Sequence, residues 1–237
     1  LNRELKEVVK HRDITRARRE KNDVPVVAIV GYTNAGKSTL LNHLTDAEVL
    51  EEDKLFATLD PTTRVLELDG HQQILLTDTV GFIRKLPHHL IEAFKSTLEE
   101  AKYADYIFHV VDASNPQMDK QMHIVYETLD RLGVRNKKIV TLFNKMDQRT
   151  DDEPLQDFRA DHILMISAAR NEGLNEIKEL LQEMLREDKV YVERVVPYAQ
   201  AGMIQLVREK GELVSEEYVP EGIAIKAYVP MEVYGKL

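Results

Sequence analysis

The chain has 237 residues, of which 43% are hydrophobic and 31% are charged, and its formal net charge is −9. This composition is typical of a soluble globular protein, and no apolar run approaches the roughly 18 residues that suggest a membrane span. The absence of cysteine excludes disulfides and thiolate metal sites within the chain and fits a reducing compartment. We expect a cytoplasmic protein without a membrane span, and a monomer.

The first 21 residues carry eight Lys and Arg against four acids, a net charge of +4 that leaves −13 for the rest of the chain. Apolar residues spaced near the helical period predict one helix here. This helix is either an RNA-facing arm or a solvated helix that connects to another domain. Because the chain begins at Leu1 inside this pattern, we expect a missing upstream domain, with residues 1–22 as its trailing helix and linker.

The stretch at residues 26–44 is an apolar, strand-like run that ends at Gly31 and is followed by Gly36, Lys37, Ser38 and a helical pattern. G-x-x-x-x-G-K-S between a strand and a helix predicts a phosphate-binding loop. Its backbone N–H groups can surround a phosphate at the positive end of the helix. We predict that Lys37 contacts the β- and γ-phosphates and that Ser38 ligates Mg²⁺. The predicted nucleotide-binding residues here are Gly31, Tyr32, Thr33, Asn34, Ala35, Gly36, Lys37, Ser38 and Thr39.

Residues 46–62 have no sustained period and predict a long loop beside the phosphate site. Two alternating runs at 63–68 and 72–77 are joined by Asp-Gly and predict a hairpin. An Asp at the carboxyl end of the second run can hold Mg²⁺, and the N–H of the glycine three residues later can reach a γ-phosphate. We include Asp78, Thr79, Val80 and Gly81 in the predicted site.

From residue 87 onwards, predicted helices (87–102, 118–132 and 173–187) alternate with apolar strands (106–111, 138–143 and 163–166). This alternation predicts the α/β class, with a doubly wound, mostly parallel sheet of the P-loop type and one antiparallel strand from the hairpin. Residues 190–237 predict a small α+β region, with a strand at 190–196 and a helix at 198–210. We place the domain boundaries at 23–188 and 189–237.

The predicted strand at 138–143 is followed by Asn-Lys-Met-Asp, and the next strand by Ser-Ala-Ala. The Asp147 carboxylate can accept two hydrogen bonds from guanine, whereas adenine would leave it unpaired. We predict that Asn144 braces the phosphate loop, that the Lys145 stem covers the base and that the Ala168 N–H contacts guanine O6. The predicted base-binding residues are Asn144, Lys145, Met146, Asp147, Ser167, Ala168 and Ala169. They favour a GTPase domain at 23–188.

With these motifs, the sequence resembles the TRAFAC-class GTPases and, within the Obg-HflX superfamily, the HflX family. The segments GYTNAGKSTL, LFATLDPTTR and DTVGFIRKLPHHL carry the resemblance, which extends over residues 24–186. It implies that Thr58 ligates Mg²⁺; by composition alone, Thr62 and Thr63 are equal candidates. It adds Phe56, Ala57, Thr58, Leu59 and Asp60 to the site, and Lys37, Thr58 and Gly81 are the predicted catalytic residues.

The resemblance also implies a ribosome-associated GTPase that binds the large subunit and splits or rescues stalled ribosomes under stress. One alternative is an Obg-like ribosome assembly or RNA maturation GTPase. Another is a nucleotide-gated binding module whose hydrolysis is incidental.

Two residues suggest how hydrolysis is regulated. Phe82 stands where Ras-like enzymes carry a water-positioning Gln, so we expect slow intrinsic hydrolysis that a partner accelerates by ordering residues 46–62. Some GTPases that lack the Gln hold K⁺ through an Asn at the position of Asn34. Asn34 either does the same or only stabilises the loop.

Several aromatic residues have two interpretations. We interpret His109 as a hydrogen-bonded core residue, and we reject His88-His89 as a metal site because adjacent helical residues diverge. The tyrosines of the C-terminal region could stack on RNA, but we favour a core role for them; they are Tyr191, Tyr198, Tyr218 and Tyr228.

Overall fold

The computed structural model describes residues 24–45, 63–79 and 100–237. These ranges contain a six-stranded sheet with the order β2-β3-β1-β4-β5-β6. β2 pairs antiparallel with β3, and the other neighbouring strands are parallel. The strands are β1 (Val26–Gly31), β2 (Thr63–Leu68), β3 (Gln72–Asp78), β4 (Tyr106–Asp112), β5 (Lys138–Asn144) and β6 (His162–Met165). The predicted mostly parallel sheet with one antiparallel hairpin strand is confirmed.

Helices pack on both faces of this sheet: α1 (Lys37–Thr45), α2 (Met118–Arg131) and α3 (Leu174–Arg186). Successive side chains of a strand point to opposite faces, so β1 contributes to two apolar layers. One layer joins Val27 and Ile29 of β1 to α1 and α3. The other joins Ala28 and Val30 to α2. The central strand is therefore buried on both sides, which fixes the position of the loop that follows it.

Three predicted features lie outside the described residues: the N-terminal helix, the loop at 46–62, and the start of the helix at 87 with His88-His89. Across the described ranges, no helix combines the length and apolar composition needed to cross a membrane.

A second, three-stranded antiparallel sheet has the order β7-β9-β8. It consists of β7 (Val190–Val196), β8 (Glu212–Val219) and β9 (Gly222–Val229), with helices α4 (Gly202–Lys210) and α5 (Met231–Tyr234). The predicted helix at 198–210 starts later than expected, because Tyr198–Gln200 form a separate 3₁₀ turn. The core is aliphatic: Val192, Val196, Ile204, Val207, Ile223, Ile225, Ala227, Val229 and Val233.

The core interpretation of the C-terminal tyrosines is wrong: three of the four are exposed, and Tyr228 pairs with Tyr191 on the outer face of the sheet. Tyr191, Tyr198 and Tyr218 are 45%, 50% and 73% exposed. Tyr191 alternates with the buried Val192 along β7 and so falls on the outer face of the sheet. There its ring lies 5.1 Å from that of Tyr228, between centroids. Aliphatic side chains on the inner face supply the packing that the tyrosines were expected to provide.

The two sheets meet beside the β2–β3 turn at an ion pair in which Glu212 is buried and Arg186 is partly exposed. Arg186, the last residue of α3, donates two hydrogen bonds to the Glu212 carboxylate, at 2.8 and 2.6 Å. The Arg186 guanidinium also lies 4.8 Å from the centre of the Tyr228 ring. The turn residue Gly70 has a φ of 72°, and a Cβ added there would lie 2.7 Å from Glu212 Cγ. The turn can approach β8 this closely because it carries a glycine.

Replacing Arg186 with Met should lower the free energy of unfolding by about 3 kcal/mol, because it leaves the buried Glu212 carboxylate without its partner. The double variant Arg186→Met with Glu212→Leu should recover most of this loss. Urea unfolding of the three proteins measures both effects. The exposed pair of Arg131 and Glu127 on α2 is the control: Arg131→Met should cost less than about 1 kcal/mol. An Arg186→Met variant as stable as this control would contradict the prediction.

His109 lies in a buried polar cluster on the α2 side of the sheet. It is 1% exposed, as a core residue should be, but its Nδ1 makes no hydrogen bond to any described group and lies 3.9 Å from an oxygen of Asp157. That same Asp157 oxygen accepts hydrogen bonds from the Tyr126 and Thr141 hydroxyls, both at 2.6 Å. The side chain of Arg159 covers the Tyr126 ring. The cluster attaches the segment after β5 to the core.

Burial lowers the pKa of His109 from 6.5 to about 4, against the attraction of the Asp157 carboxylate. The unfolded chain therefore takes up this proton near pH 6.5, and the folded chain only near pH 4. The contribution of neutral His109 to the free energy of unfolding is fully present above pH 6.5. It should be lost at up to about 1.4 kcal/mol per pH unit as the pH falls towards 4. A His109→Gln variant should show a shallower slope of unfolding free energy against pH in this window. Identical slopes would contradict the prediction.

Candidate nucleotide-binding site

The loop between β1 and α1 is shaped by close backbone approaches. A Cβ at Gly31 would lie 2.3 Å from the carbonyl oxygen of Val110 on β4. Asn34 and Gly36 have φ values of 60° and 95°, in the left-handed region that few other residues adopt. These conformations curl the loop over the carboxyl end of the sheet, before the N-terminus of α1.

Lys37 is the cation of this loop and is only 7% exposed. Its Nζ donates to the carbonyl oxygen of Tyr32 at 3.1 Å, so the side chain folds back along the loop. Burial lowers the pKa of Lys37, while the nearby Asp78 carboxylate acts in the opposite direction. An ammonium group that is withheld from water in this way gains more from a bound anion than an exposed one does.

Ser38 and Asp78 are 40 residues apart in the chain and meet at the carboxyl edge of the sheet. Parallel pairing places Asp78 opposite Ile29 of β1, and the Ser38 hydroxyl donates to an Asp78 oxygen at 2.9 Å. The Thr79 hydroxyl fixes the end of β3 by donating to the Ile29 carbonyl at 2.8 Å. A hydroxyl and a carboxylate brought together beside a phosphate loop are hard oxygen donors, which is the donor set that Mg²⁺ prefers. The residues present therefore fit this ion.

Asn144 joins the loop to the segment after β6. It is 2% exposed, and its Nδ2 donates to the Ala35 carbonyl at 2.9 Å. Its Oδ1 accepts from the Ala168 N–H, also at 2.9 Å. This N–H was expected to contact guanine O6, so a base would have to share it with Asn144 or take it over. One side chain thus holds together the two segments predicted to contact phosphate and base.

Asp147 is held in place from the segment after β6. The Ser167 hydroxyl donates to one Asp147 oxygen at 2.7 Å, and Arg170 Nε lies 3.7 Å from the other. The Asp147 side chain is 11% exposed, so its carboxylate is largely withdrawn from water. Such a carboxylate discriminates strongly between a base that offers two N–H donors and one that does not.

A residue that the sequence reasoning missed completes the group. Asp112, the last residue of β4, accepts a hydrogen bond from Lys145 Nζ at 2.8 Å. The predicted strand stopped one residue earlier, at Val111. The available signal was an acid directly after an apolar strand that ends at the same edge as Asp78.

The structure brings most of the predicted site residues to one edge of the sheet. Those within the described ranges are Gly31, Tyr32, Thr33, Asn34, Ala35, Gly36, Lys37, Ser38, Thr39, Asp78, Thr79, Asn144, Lys145, Met146, Asp147, Ser167, Ala168 and Ala169. Outside them lie Phe56, Ala57, Thr58, Leu59, Asp60, Val80, Gly81 and Phe82. The proposed roles of Thr58 and Gly81 as catalytic residues therefore stay predictions.

Solved structures provide one comparison. A GTP-binding protein from Sulfolobus solfataricus, crystallised with GDP, is 27% identical with a TM-score of 0.57, and the match covers 76% of this chain and 60% of that one. Era from Aquifex aeolicus is 22% identical with a TM-score of 0.52, over 84% of this chain and 75% of that one, and supports the fold alone.

Sequence comparison gives the family. Residues 26–145, about half of the chain, match the family described as 50S ribosome-binding GTPase. A GTPase HflX from Lacrimispora saccharolytica is 62% identical over the whole chain and 56% of its own length. Another, from Caldanaerobacter subterraneus, is 45% identical over the whole chain and 54% of its length. The chain spans about half the length of these relatives. It belongs to the family of 50S ribosome-binding GTPases, and the relatives described here are HflX GTPases.

Proposed function

We propose that this chain binds and hydrolyses GTP as a switch that associates with the large ribosomal subunit in the cytoplasm and helps to dissociate or rescue stalled ribosomes. The observation that supports this most is the bridge made by Asn144 between the phosphate loop and the base-binding segment. It fits a site in which phosphates and a guanine base are held by one connected frame. The names of the family and of its HflX members support the ribosomal partner.

In this proposal the buried Lys37 ammonium and the loop N–H groups bind the phosphates, and Asp147 accepts the two N–H donors of guanine. Ser38 and Asp78, with Thr58, would hold Mg²⁺, which neutralises charge on the phosphates when it is bound. Phe82 has no hydrogen-bonding group with which to orient a water molecule. We therefore expect slow hydrolysis by the chain alone and faster hydrolysis on the ribosome.

The direct test is to measure GTP turnover with and without isolated 50S subunits, and to follow 70S dissociation in parallel. Stimulation by 50S subunits together with GTP-dependent dissociation would support the proposal. High turnover that ribosomes leave unchanged would contradict it. Lys37→Ala should abolish turnover, whereas the exposed Lys120→Ala should not. If Lys37→Ala keeps the splitting activity, hydrolysis is incidental and the chain acts as a nucleotide-gated binding module.

A monovalent cation effect is expected at Asn34, which is exposed in the loop. If Asn34 holds K⁺ against the phosphates, turnover should be about tenfold faster in K⁺ than in Na⁺, equivalent to about 1.4 kcal/mol of transition-state stabilisation. Asn34→Ala should remove this difference. Equal rates for the unmodified chain in the two salts would show that Asn34 only shapes the loop.

A further inference from the structure

We propose that Asp112 is a positioning residue for guanine binding, which acts by holding the side chain of Lys145 across the face of the base. This inference rests on the proposed binding of a guanine nucleotide at Asn144 and Asp147. It concerns a residue outside the four motifs from which the site was recognised.

Parallel pairing of β4 and β5 brings the two residues together. Asp112 is paired with Asn144, the residue before Lys145, and the Ala113 N–H donates to the Asn144 carbonyl at 2.9 Å. The strands therefore stay in register to their carboxyl ends. There the Lys145 Nζ donates to Asp112 Oδ2 at 2.8 Å.

The Lys145 side chain is thereby fixed at both ends. Its backbone has φ 64° and ψ 33°, a left-handed conformation that is uncommon for a residue with a long side chain. Its ammonium group is held by Asp112. Four methylene groups lie between these two fixed ends, two residues before Asp147, and they offer an apolar surface without the loss of rotamer entropy that ordering a free lysine would require.

Asp112 is itself oriented by other contacts. Its second oxygen, Oδ1, accepts the Ser114 N–H at 3.1 Å and the Ser114 hydroxyl at 2.6 Å. The Asp112 side chain is 13% exposed and that of Lys145 is 26% exposed, so solvent screens the pair only partly. Because Oδ2 accepts from Lys145 and Oδ1 accepts from Ser114, a substitution can remove the Lys145 contact alone.

Asp112→Asn is the variant that removes the Lys145 contact and keeps the Ser114 contacts. The amide oxygen can still accept from Ser114, but its NH₂ group faces the Lys145 ammonium as a second donor. GDP affinity, measured by titration of the nucleotide-free chain, should fall about tenfold. Asp130→Asn is the matched control, since it breaks the ion pair with Arg159 outside the site and should leave GDP affinity unchanged.

A double-mutant cycle separates positioning from a purely structural role. Lys145→Met keeps an apolar stem but loses the ammonium, so Asp112→Asn should change GDP affinity less than about twofold in that background. A further tenfold loss would overturn the proposal, as would unchanged affinity of the single Asp112→Asn variant.

Inosine diphosphate provides a second readout, because its base has nearly the same face as guanine but lacks the 2-amino group. Asp112→Asn should weaken GDP and inosine diphosphate binding by the same factor, since the Lys145 stem contacts the ring face. A changed ratio would overturn the proposal by placing Asp112 at the base edge. If the unmodified chain binds no GDP, the proposed function itself fails, and this result is distinct from the others.

Discussion

Replacing Asp147 with Asn is expected to lower the affinity of the chain for GTP by about a hundredfold or more, and to raise its affinity for xanthosine triphosphate. The carboxylate can accept hydrogen bonds from both N1–H and the 2-amino group of guanine. An Asn side chain presents one acceptor and one donor, and this pair suits the N1–H and 2-carbonyl groups of xanthine. Asn should therefore exchange one base preference for the other.

The hydrogen bond from Ser167 should hold Asn at position 147 in the orientation that Asp147 has now. The Ser167 hydroxyl can donate to the amide oxygen as it does to the carboxylate, so the side chain should keep its orientation. Competition between GTP and xanthosine triphosphate measures the effect in one titration. The exposed Asp152→Asn is the control and should leave the preference for GTP intact. If Asp147→Asn retains that preference, a different residue reads the base.

Asn144→Ala is expected to lower the free energy of unfolding by about 2–4 kcal/mol and to weaken nucleotide binding at least tenfold. The change leaves the Ala35 carbonyl and the Ala168 N–H without the side chain that now pairs with both. Ala35 and Ala168 are 0% and 1% exposed, so water cannot readily replace it. The loop would also lose its connection to the base-binding segment.

Urea unfolding and GDP titration of the same samples measure both effects of Asn144→Ala. Asn144→Asp should be at least as destabilising as Asn144→Ala, because a buried carboxylate oxygen would then face the Ala35 carbonyl oxygen with no donor between them. Asn175→Ala, on the exposed side of α3, should change stability by less than about 0.5 kcal/mol. An Asn144→Ala variant that matches Asn175→Ala in both assays would show that the bridge contributes nothing.

Much of the nucleotide site could be predicted from local patterns. The glycines and the lysine of the phosphate loop lie between a strand and a helix, and their conformations depend on residues a few positions away. Asp78 and Asn144 each end a buried strand, and parallel strands end at one edge of a sheet. These rules are sufficient to predict that the phosphate-binding and base-binding residues, with Ser38 and Asp78, lie at one edge of the sheet.

Other contacts could not be predicted in this way. The pair of Asp112 and Lys145 depends on the register of β4 against β5, and the pair of Arg186 and Glu212 depends on how the second sheet meets the first. The exposed Tyr191 shows the same difficulty, because an alternating strand has two faces and composition did not indicate which one α4 and α5 would cover.

The order of residues along the chain was thus enough to specify the α/β class, the phosphate loop and the edge of the sheet where the site forms. Strand register and the packing of helices against sheets specified which polar side chains pair across that edge. The physical reason is range: backbone conformation follows from neighbouring residues, whereas a hydrogen bond such as that from Asn144 to Ala35 joins groups 109 residues apart. Such a bond exists only in a fold whose core aligns β1 and β5, the strands next to its two ends.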